Sequence, residues 1–387
     1  MQRDPTYLFA GGGSGGHLFP GIAVAQELTD LWPAARILFV GTDREVERSI
    51  VKQHGYVHRM VPAEPLASFR RNPIRFPWVF WKSCRVARML LERECPRAVI
   101  GLGGYASAPT VIAASSMGIP TVLLEQNAVA GRATRWLSGR SSLVCLSFEE
   151  TGGRFASRAT LCVTGNPVRR EIVQLAEAPG EVRETRTILV LGGSQGATAV
   201  NRIMVSAAEA LVRESLPIRI VHQAGAADCQ TVRDTYARLN VDAVVQPFFT
   251  DLVEQYKTAA IVVSRAGATT LAELACAGIP AILIPYPSSA DDHQLHNANT
   301  YQTAGAAHLV EQTPDTEAAA AVARHIGTLL NDAASRSQMQ QQMRALARPS
   351  AAVDVVDRLE QLIADRSESE EQPGFQTHQT AVVGDRQ

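Results

Sequence analysis

Residues 11–17 read GGGSGGH, between an apolar run and a helix-like stretch. Glycines in that setting let backbone N–H groups come close to a ligand, and the start of the helix favours an anion, so a phosphate is the natural guest. His17 closes the loop, where it could bond a phosphate or take a proton from an acceptor hydroxyl. The alternative is a helix-start histidine satisfied by backbone. Gly11, Gly13 and Gly16 also match the dinucleotide fingerprint G-x-G-x-x-G. A nicotinamide site, however, needs an acid at the end of the second strand, and that strand ends in Gly41, with Asp43 displaced two positions. Residues 191–197, LGGSQGA, keep the strand-to-helix setting without the fingerprint spacing. Two facing glycine loops suit a cleft shared by two substrates. A third candidate is RAGATTLAE at 265–273. There Gly267 to Thr270 would aim a helix start at a diphosphate, and Glu273 could hold two vicinal ribose hydroxyls. Thr270 and Glu273 equally fit a capping box.

Alternating strands and helices must position these loops. In the first half Tyr7 to Ala10, Arg36 to Val40, Ala98 to Leu102 and Thr121 to Leu124 read as strands. In the second, Thr187 to Leu191, Ile218 to His222, Ala243 to Val245, Ala260 to Ser264 and Ala281 to Ile284 do. Such alternation predicts an α/β fold with parallel, doubly wound sheets, and 387 residues exceed what one core holds. An internal echo ties the halves together: GLGGYASAPTVIAASSMGIPTVLL from Gly101 and SRAGATTLAELACAGIPAILI from Ser264. Each reads as strand end, glycine turn, small-residue helix, Gly-Ile-Pro stop and strand. Gly165-Asn166-Pro167 is the boundary. The domains are therefore 1–165 and 166–345, followed by a helix over 346–365 with Ala352, Val355, Val356, Leu359, Leu362 and Ile363 on one face. Residues 366–387, rich in Ser, Glu, Gln and Gly, are expected to be a disordered tail.

A net charge of -1 excludes a globally basic nucleic-acid binder. The six cysteines form no CxxC pair, against a zinc site or disulfide scaffold. There is no D-x-D for a carboxylate-held metal on a diphosphate, so no metal is expected. The polar N-terminus and the lack of a long apolar run point to a cytoplasmic protein without a membrane span.

Seven stretches, GGGSGGHLFPG, GGYASAP, EQNAVAG, VTGNPVR, LGGSQGA, RAGATTLAE and DDHQLHNA, occur in an order and spacing that resembles the MurG family of bacterial glycosyltransferases, over about residues 6–365. The resemblance implies GT-B architecture, two Rossmann-like domains around a cleft. It implies inverting transfer of N-acetylglucosamine from UDP-N-acetylglucosamine to the C4 hydroxyl of an undecaprenyl-diphospho-muramoyl-pentapeptide, with no tightly bound cofactor. It assigns Ser14, Gly15, Gly16 and Asn127, with Tyr105 and Gln126 from the same motifs, to substrate contacts in the cleft. Arg169, Ser194, Phe249, Ala268, Thr269, Thr270, Leu271, Ala272, Glu273 and Gln294 would hold the donor, with the Phe249 backbone reading the uracil edge. His17 is the candidate base and Glu125 the reserve. Leu124 and His293 depart from the family, where His and Gln are usual, leaving Gln294 as the sugar ligand.

A lipid acceptor requires a membrane surface. Arg75, Lys82 and Arg85, interleaved with Phe76, Trp78, Phe80 and Trp81 and preceded by Arg70 and Arg71, suit an anionic interface. The resemblance thus implies a peripheral enzyme on the cytoplasmic face of the bacterial plasma membrane, acting beside other cell-wall synthesis proteins. Another GT-B transferase, a nicotinamide-dependent oxidoreductase or epimerase, and a non-catalytic sugar-nucleotide-binding scaffold stay open as alternatives.

Overall fold

Short apolar runs become strands buried on both faces, which is possible only where helices cover both sides of a parallel sheet. The computed structural model describes residues 4–13, 15–64, 75–155, 159–177, 185–192 and 197–371. The first half runs β1 (Thr6–Gly11), α1 (Gly15–Leu31), β2 (Arg36–Gly41), α2 (Glu45–Gln53), β3 (Val57–Met60), α3 (Arg75–Glu94), β4 (Ala98–Gly103), α4 (Ala108–Ser116), β5 (Thr121–Glu125), α5 (Arg132–Ser138), β6 (Leu143–Leu146) and β7 (Leu161–Val163). The second runs α6 (Arg170–Glu177), β8 (Thr187–Leu191), α7 (Thr198–Arg213), β9 (Arg219–Gln223), α8 (Cys229–Arg238), β10 (Asp242–Gln246), α9 (Leu252–Thr258), β11 (Ile261–Ser264), α10 (Ala268–Ala277), β12 (Ala281–Leu283), α11 (His293–Thr303), β13 (Ala307–Leu309), α12 (Asp315–Asn331), α13 (Ala333–Ala345) and α14 (Ala351–Glu371).

Among the described residues the strands form two sheets, ordered β3-β2-β1-β4-β5-β6-β7 and β10-β9-β8-β11-β12-β13. All pairings are parallel. Both sheets reverse direction beside their first strand, at β1/β4 and β8/β11. That switch point is where ligands settle against strand C-termini in open α/β sheets.

The internal echo is a structural repeat. Gly118 and Gly278 both end their helices at positive φ, 74° and 61°. Ile119 N–H donates to Ala114 and Ile279 N–H to Leu274, closing the same capping motif twice. Pro120 and Pro280 then present their carbonyls to the neighbouring strand, to Val99 and Val262, both at 2.9 Å.

The final helix differs from the sequence expectation in extent. It starts at Ala351 and runs past Asp365 to Glu371. Val355, Val356, Leu359 and Ile363 pack into the core of the first half beside α1. Tyr7 Oη donates to Glu360 at 2.6 Å, and Arg366 reaches the Gly118 carbonyl, so packing carries the helix into the polar stretch. Residues 372–387, where the rest of the expected tail falls, lie outside the described residues.

Candidate functional site

The C-terminal ends of the two sheets face each other. Thr269 Oγ1, in the first turn of α10, donates to the Gly16 carbonyl in the first turn of α1 at 2.8 Å, so the two helix starts meet. Asn297 on α11 joins the halves as well. Fully buried, it accepts from Ala128 N–H at 2.9 Å and donates to the Ala266 carbonyl at 3.1 Å and to Asn127 Oδ1 at 3.2 Å. Its i, i+3 spacing from Gln294 in DDHQLHNA was the available signal, and the sequence reading passed over it.

Around this seam lie three adjoining spaces. One of about 460 Å³ is lined by His17, Tyr105, Glu125, Gln126, Asn127, Arg132, His293 and Gln294. One of about 260 Å³ is lined by Gly15, Gly16, Phe19, Arg169, Gln223, Phe249, Tyr256, Thr269, Thr270, Glu273 and Gln294. A passage of about 190 Å³ shares Gly16, His17, Gln126, Asn127, Thr269 and Thr270 with them. His17 therefore borders the larger space and the passage that leads from it to the smaller one.

The state of His17 follows from its neighbours. Gln126 donates its amide N–H to the Leu102 carbonyl at 3.2 Å, which turns its Oε1 toward His17 Nδ1, also at 3.2 Å. An acceptor on that side assigns the proton to Nδ1 and leaves the Nε2 lone pair free. Burial lowers the ring's pKa below its ordinary value, opposed by the nearby Glu125 carboxylate and by Gln126. Gly103 and Gly104, at φ 94° and 70°, make room for the ring; a Cβ on Gly103 would stand 3.3 Å from His17 Cε1.

Glu125, the reserve base, is placed differently. Its carboxylate is buried and accepts from Asn127 N at 3.1 Å, Asn127 Nδ2 at 3.3 Å and Gly131 N at 2.9 Å. Both oxygens are committed to folding the 126–131 loop, so the side chain positions the residues around His17.

In the smaller space Glu273 is held from two sides. Its Oε1 accepts from Arg169 Nε and Nη2, at 3.1 and 2.9 Å, and its Oε2 from Tyr256 Oη at 3.0 Å. Burial works against the Arg169 charge, yet Glu273 raises its pKa. The guanidinium also stacks 4.7 Å above the Phe19 ring, which comes from the opposite half. The helix cap of α10 is Gly267, which rules out the capping box starting at Thr270. Three used lone-pair directions leave the carboxylate room for a further hydroxyl.

One expectation needs correction. The run 268–273 cannot all face the cleft, because a helix turns 100° per residue. Thr269, Thr270 and Glu273 do, and Ala268 borders the passage. Leu271 is in the core, and Ala272 lines a separate cavity behind α10. Phe249, whose backbone is expected at the uracil edge, borders the smaller space; its ring is buried and its N–H donates to Gln223 Oε1 at 3.0 Å. Gln294 Oε1 accepts from Tyr286 N–H at 3.0 Å while bordering both larger spaces. His293 donates to the Val129 carbonyl at 2.8 Å, so the departure from glutamine supplies another tie between the halves. Ser14, Ser194, Arg70 and Arg71 lie outside the described residues. Phe19, Tyr256 and Gln223 were missed, since nothing local in the sequence marks them.

The nicotinamide alternative meets a filled crevice. Glu47 tucks its carboxylate beneath the first loop, accepting from Thr42 N and Oγ1 at 2.8 and 2.7 Å. A Cβ at Gly12 would sit 2.8 Å from it. Among the described residues no cluster of His, Cys, Asp and Glu could hold a metal ion.

The basic aromatic segment is helix α3. Trp78 and Trp81 are 61% and 58% exposed, with Lys82 5.6 Å over the first ring and Arg85 5.8 Å over the second. Phe76 stacks on Phe80, which leans on Trp136, and these line an apolar groove of about 440 Å³ that shares Tyr105 and Ala133 with the His17 space. Arg75 pairs with Glu64 at 2.9 Å. No helix among the described residues is long and apolar enough to cross a membrane.

Two Rossmann-type domains in the 3-2-1-4-5-6 strand order, the first extended by a seventh strand, meet helix start to helix start across a cleft, which is the GT-B architecture. Residues 7–144 match the glycosyltransferase family 28 N-terminal domain and residues 187–358 its C-terminal domain. The chain is 40% identical over 363 residues, 93% of its length and 98% of the relative's, to the UDP-N-acetylglucosamine–N-acetylmuramyl-(pentapeptide) pyrophosphoryl-undecaprenol N-acetylglucosamine transferase of Desulfotalea psychrophila. It is 42% identical over 319 residues, 80% and 87% of the two chains, to the like-named enzyme of Syntrophotalea carbinolica. The crystal structure of Acinetobacter baumannii MurG superposes with a TM-score of 0.72 at 28% identity, covering 92% of this chain and 99% of that one. The chain thus belongs to the MurG family within glycosyltransferase family 28.

Proposed function

We propose that this protein transfers N-acetylglucosamine from UDP-N-acetylglucosamine to the C4 hydroxyl of undecaprenyl-diphospho-N-acetylmuramoyl-pentapeptide, with inversion. The observation that carries the mechanism is His17, neutral, its Nδ1 proton fixed by Gln126 and its ring bordering the larger space and the passage to the smaller one. The acceptor sugar lies in the larger space and the donor in the smaller. Nε2 takes the hydroxyl proton as the oxygen attacks the anomeric carbon, and the bond to UDP breaks in the same displacement. Gln126 and the Glu125 charge stabilise the imidazolium that forms. Negative charge grows on the leaving diphosphate, where the first turn of α10 and the Thr269 and Thr270 hydroxyls offer donors already oriented. Glu273 takes the ribose, held in place by Arg169 and Tyr256.

The exposed Trp78 and Trp81 with Lys82 and Arg85 support peripheral docking on an anionic membrane, and the groove beside them suits a polyprenyl chain. That surface and substrate fit the cytoplasmic face of a bacterial plasma membrane, with other cell-wall enzymes as neighbours.

The test is UDP release from a panel of nucleotide sugars with short-chain lipid acceptors. Release with UDP-N-acetylglucosamine and the muramoyl lipid, and little with other pairs, is the expected result. Turnover restricted to another aglycone would transfer the protein to a different GT-B activity, and NAD binding without UDP binding would end the reading.

A further inference from the structure

We propose that Arg132 and Arg135 of α5 form the diphosphate site for the acceptor, and that Asp291, reaching from the other half, occupies it until the acceptor displaces it. The proposal rests on the reading of the acceptor as a lipid diphosphate sugar. Arg132 Nε and Nη2 grip the two Asp291 oxygens at 3.2 and 2.7 Å, and Arg135 Nη2 adds a third bond at 3.2 Å. A guanidinium fork fits a phosphate as well as it fits a carboxylate.

Position points to the lipid headgroup. Arg132 borders the His17 space, Trp136 one turn on borders the apolar groove, and Ala133 borders both. Arg132 thus borders the space for a sugar on the helix that also lines the groove for a hydrocarbon, and Arg135 meets it through the shared Asp291, which borders the same space. In a sugar-diphosphate-lipid molecule the diphosphate falls between that space and that groove.

Asp291 behaves as a stand-in anion. It and Asp292 hold left-handed backbone angles, φ 48° and 53°, which residues other than glycine seldom adopt. The side chains of Arg132, Arg135 and Asp291 are 68%, 39% and 26% exposed, so water reaches the pair and the attraction is weak enough to exchange. A diphosphate carries more charge and more acceptor oxygens than one carboxylate. Its arrival releases Asp291, and with it one of the ties between the halves. The two ends of the Asp291 clasp thus act oppositely on the acceptor: Arg132 binds its diphosphate and Asp291 competes with it.

The experiment is calorimetric titration of the full chain, saturated with UDP, with geranyl diphosphate, together with acceptor and donor KM. Arg132→Gln should weaken geranyl diphosphate about tenfold or more and raise the acceptor KM alike, leaving donor KM in place, with Arg132→Lys recovering part of the loss. Arg135→Gln should weaken it by less. Asp291→Asn should tighten binding several-fold, since it frees both arginines. Unchanged binding in Arg132→Gln overturns the proposal. So does weaker binding in Asp291→Asn, which would make the clasp a brace for the cleft, or a loss confined to Arg44→Gln, which removes the guanidinium that donates to the Gly13 carbonyl of the first glycine loop at 3.0 Å. Arg132-dependent binding of geranyl diphosphate, without UDP release on the muramoyl lipid, would keep the diphosphate site and sink the proposed acceptor.

Discussion

The two echoed units, β4-α4-β5 and β11-α10-β12, share their stop, their proline turn and their place at the switch point of their sheet, and they differ at the start of the helix. After β4, Gly103 and Gly104 take positive φ and the chain makes an extra turn before α4 begins at Ala108. The space so opened holds the His17 ring. After β11, Gly267 has φ -67° and caps α10 at once, so the helix's free N–H groups point into the cleft and Glu273 follows one turn after Thr269 and Thr270. One architecture thus yields a pocket for a base in the first half and an anion-and-hydroxyl site in the second. What separates them is the length of one glycine turn.

If that division holds, His17→Ala gives the largest effect. General-base removal should lower kcat by roughly 100- to 10,000-fold with donor affinity nearly unchanged. In the wild type the base works when deprotonated, and burial holds its pKa below 6.5. Rate should be flat above neutrality and fall only as pH drops through that lowered pKa. An acid limb centred at or above 6.5, or undiminished turnover in His17→Ala, moves the base elsewhere.

Glu273→Gln comes next and tests the other half. Losing the charge that pairs Arg169 should raise donor KM by roughly 30- to 100-fold, while acceptor KM stays put. Equal rises in both would show that Glu273 braces the whole cleft, and the division between halves would blur.

Much of this contrast was legible in the sequence. Glycines at strand ends, the Gly-Ile-Pro stops and the apolar runs of β1, β2, β4 and β5 each carry a local physical signature, and the strands fell within a residue or two of expectation. β3, β7 and β13 did not stand out because they are edge strands only partly buried, so no continuous apolar run marks them; β6, a buried run of four residues, was passed over. The partners of the site residues were hidden for a different reason. Tyr256 meets Glu273 and Phe19 meets Arg169 only because two chain segments far apart in sequence converge, and no spacing rule encodes that. Helix geometry also thinned the 268–273 run, where a contiguous motif had been read as contiguous contacts.

The smallest effect separates the halves by stability. His222 in β9 is fully buried, bonded through Nδ1 to Tyr236 Oη at 2.9 Å and through Nε2 to Asn201 Oδ1 at 3.0 Å. Burial takes its pKa down to about 3 from 6.5. The unfolded chain therefore binds the extra proton first as pH falls. Stability is intact above pH 6.5 and drains away below it, by about 2 kcal/mol at pH 5 for this one group. Because His222 belongs to the second core, hydrogen exchange at pH 5 should show β8, β9 and α7 opening before β1 and β4. His222→Gln should flatten the slope between pH 5 and 6.5. If the first half opens sooner, the acid-sensitive histidine is His17, and the ring tuned for chemistry also limits the fold.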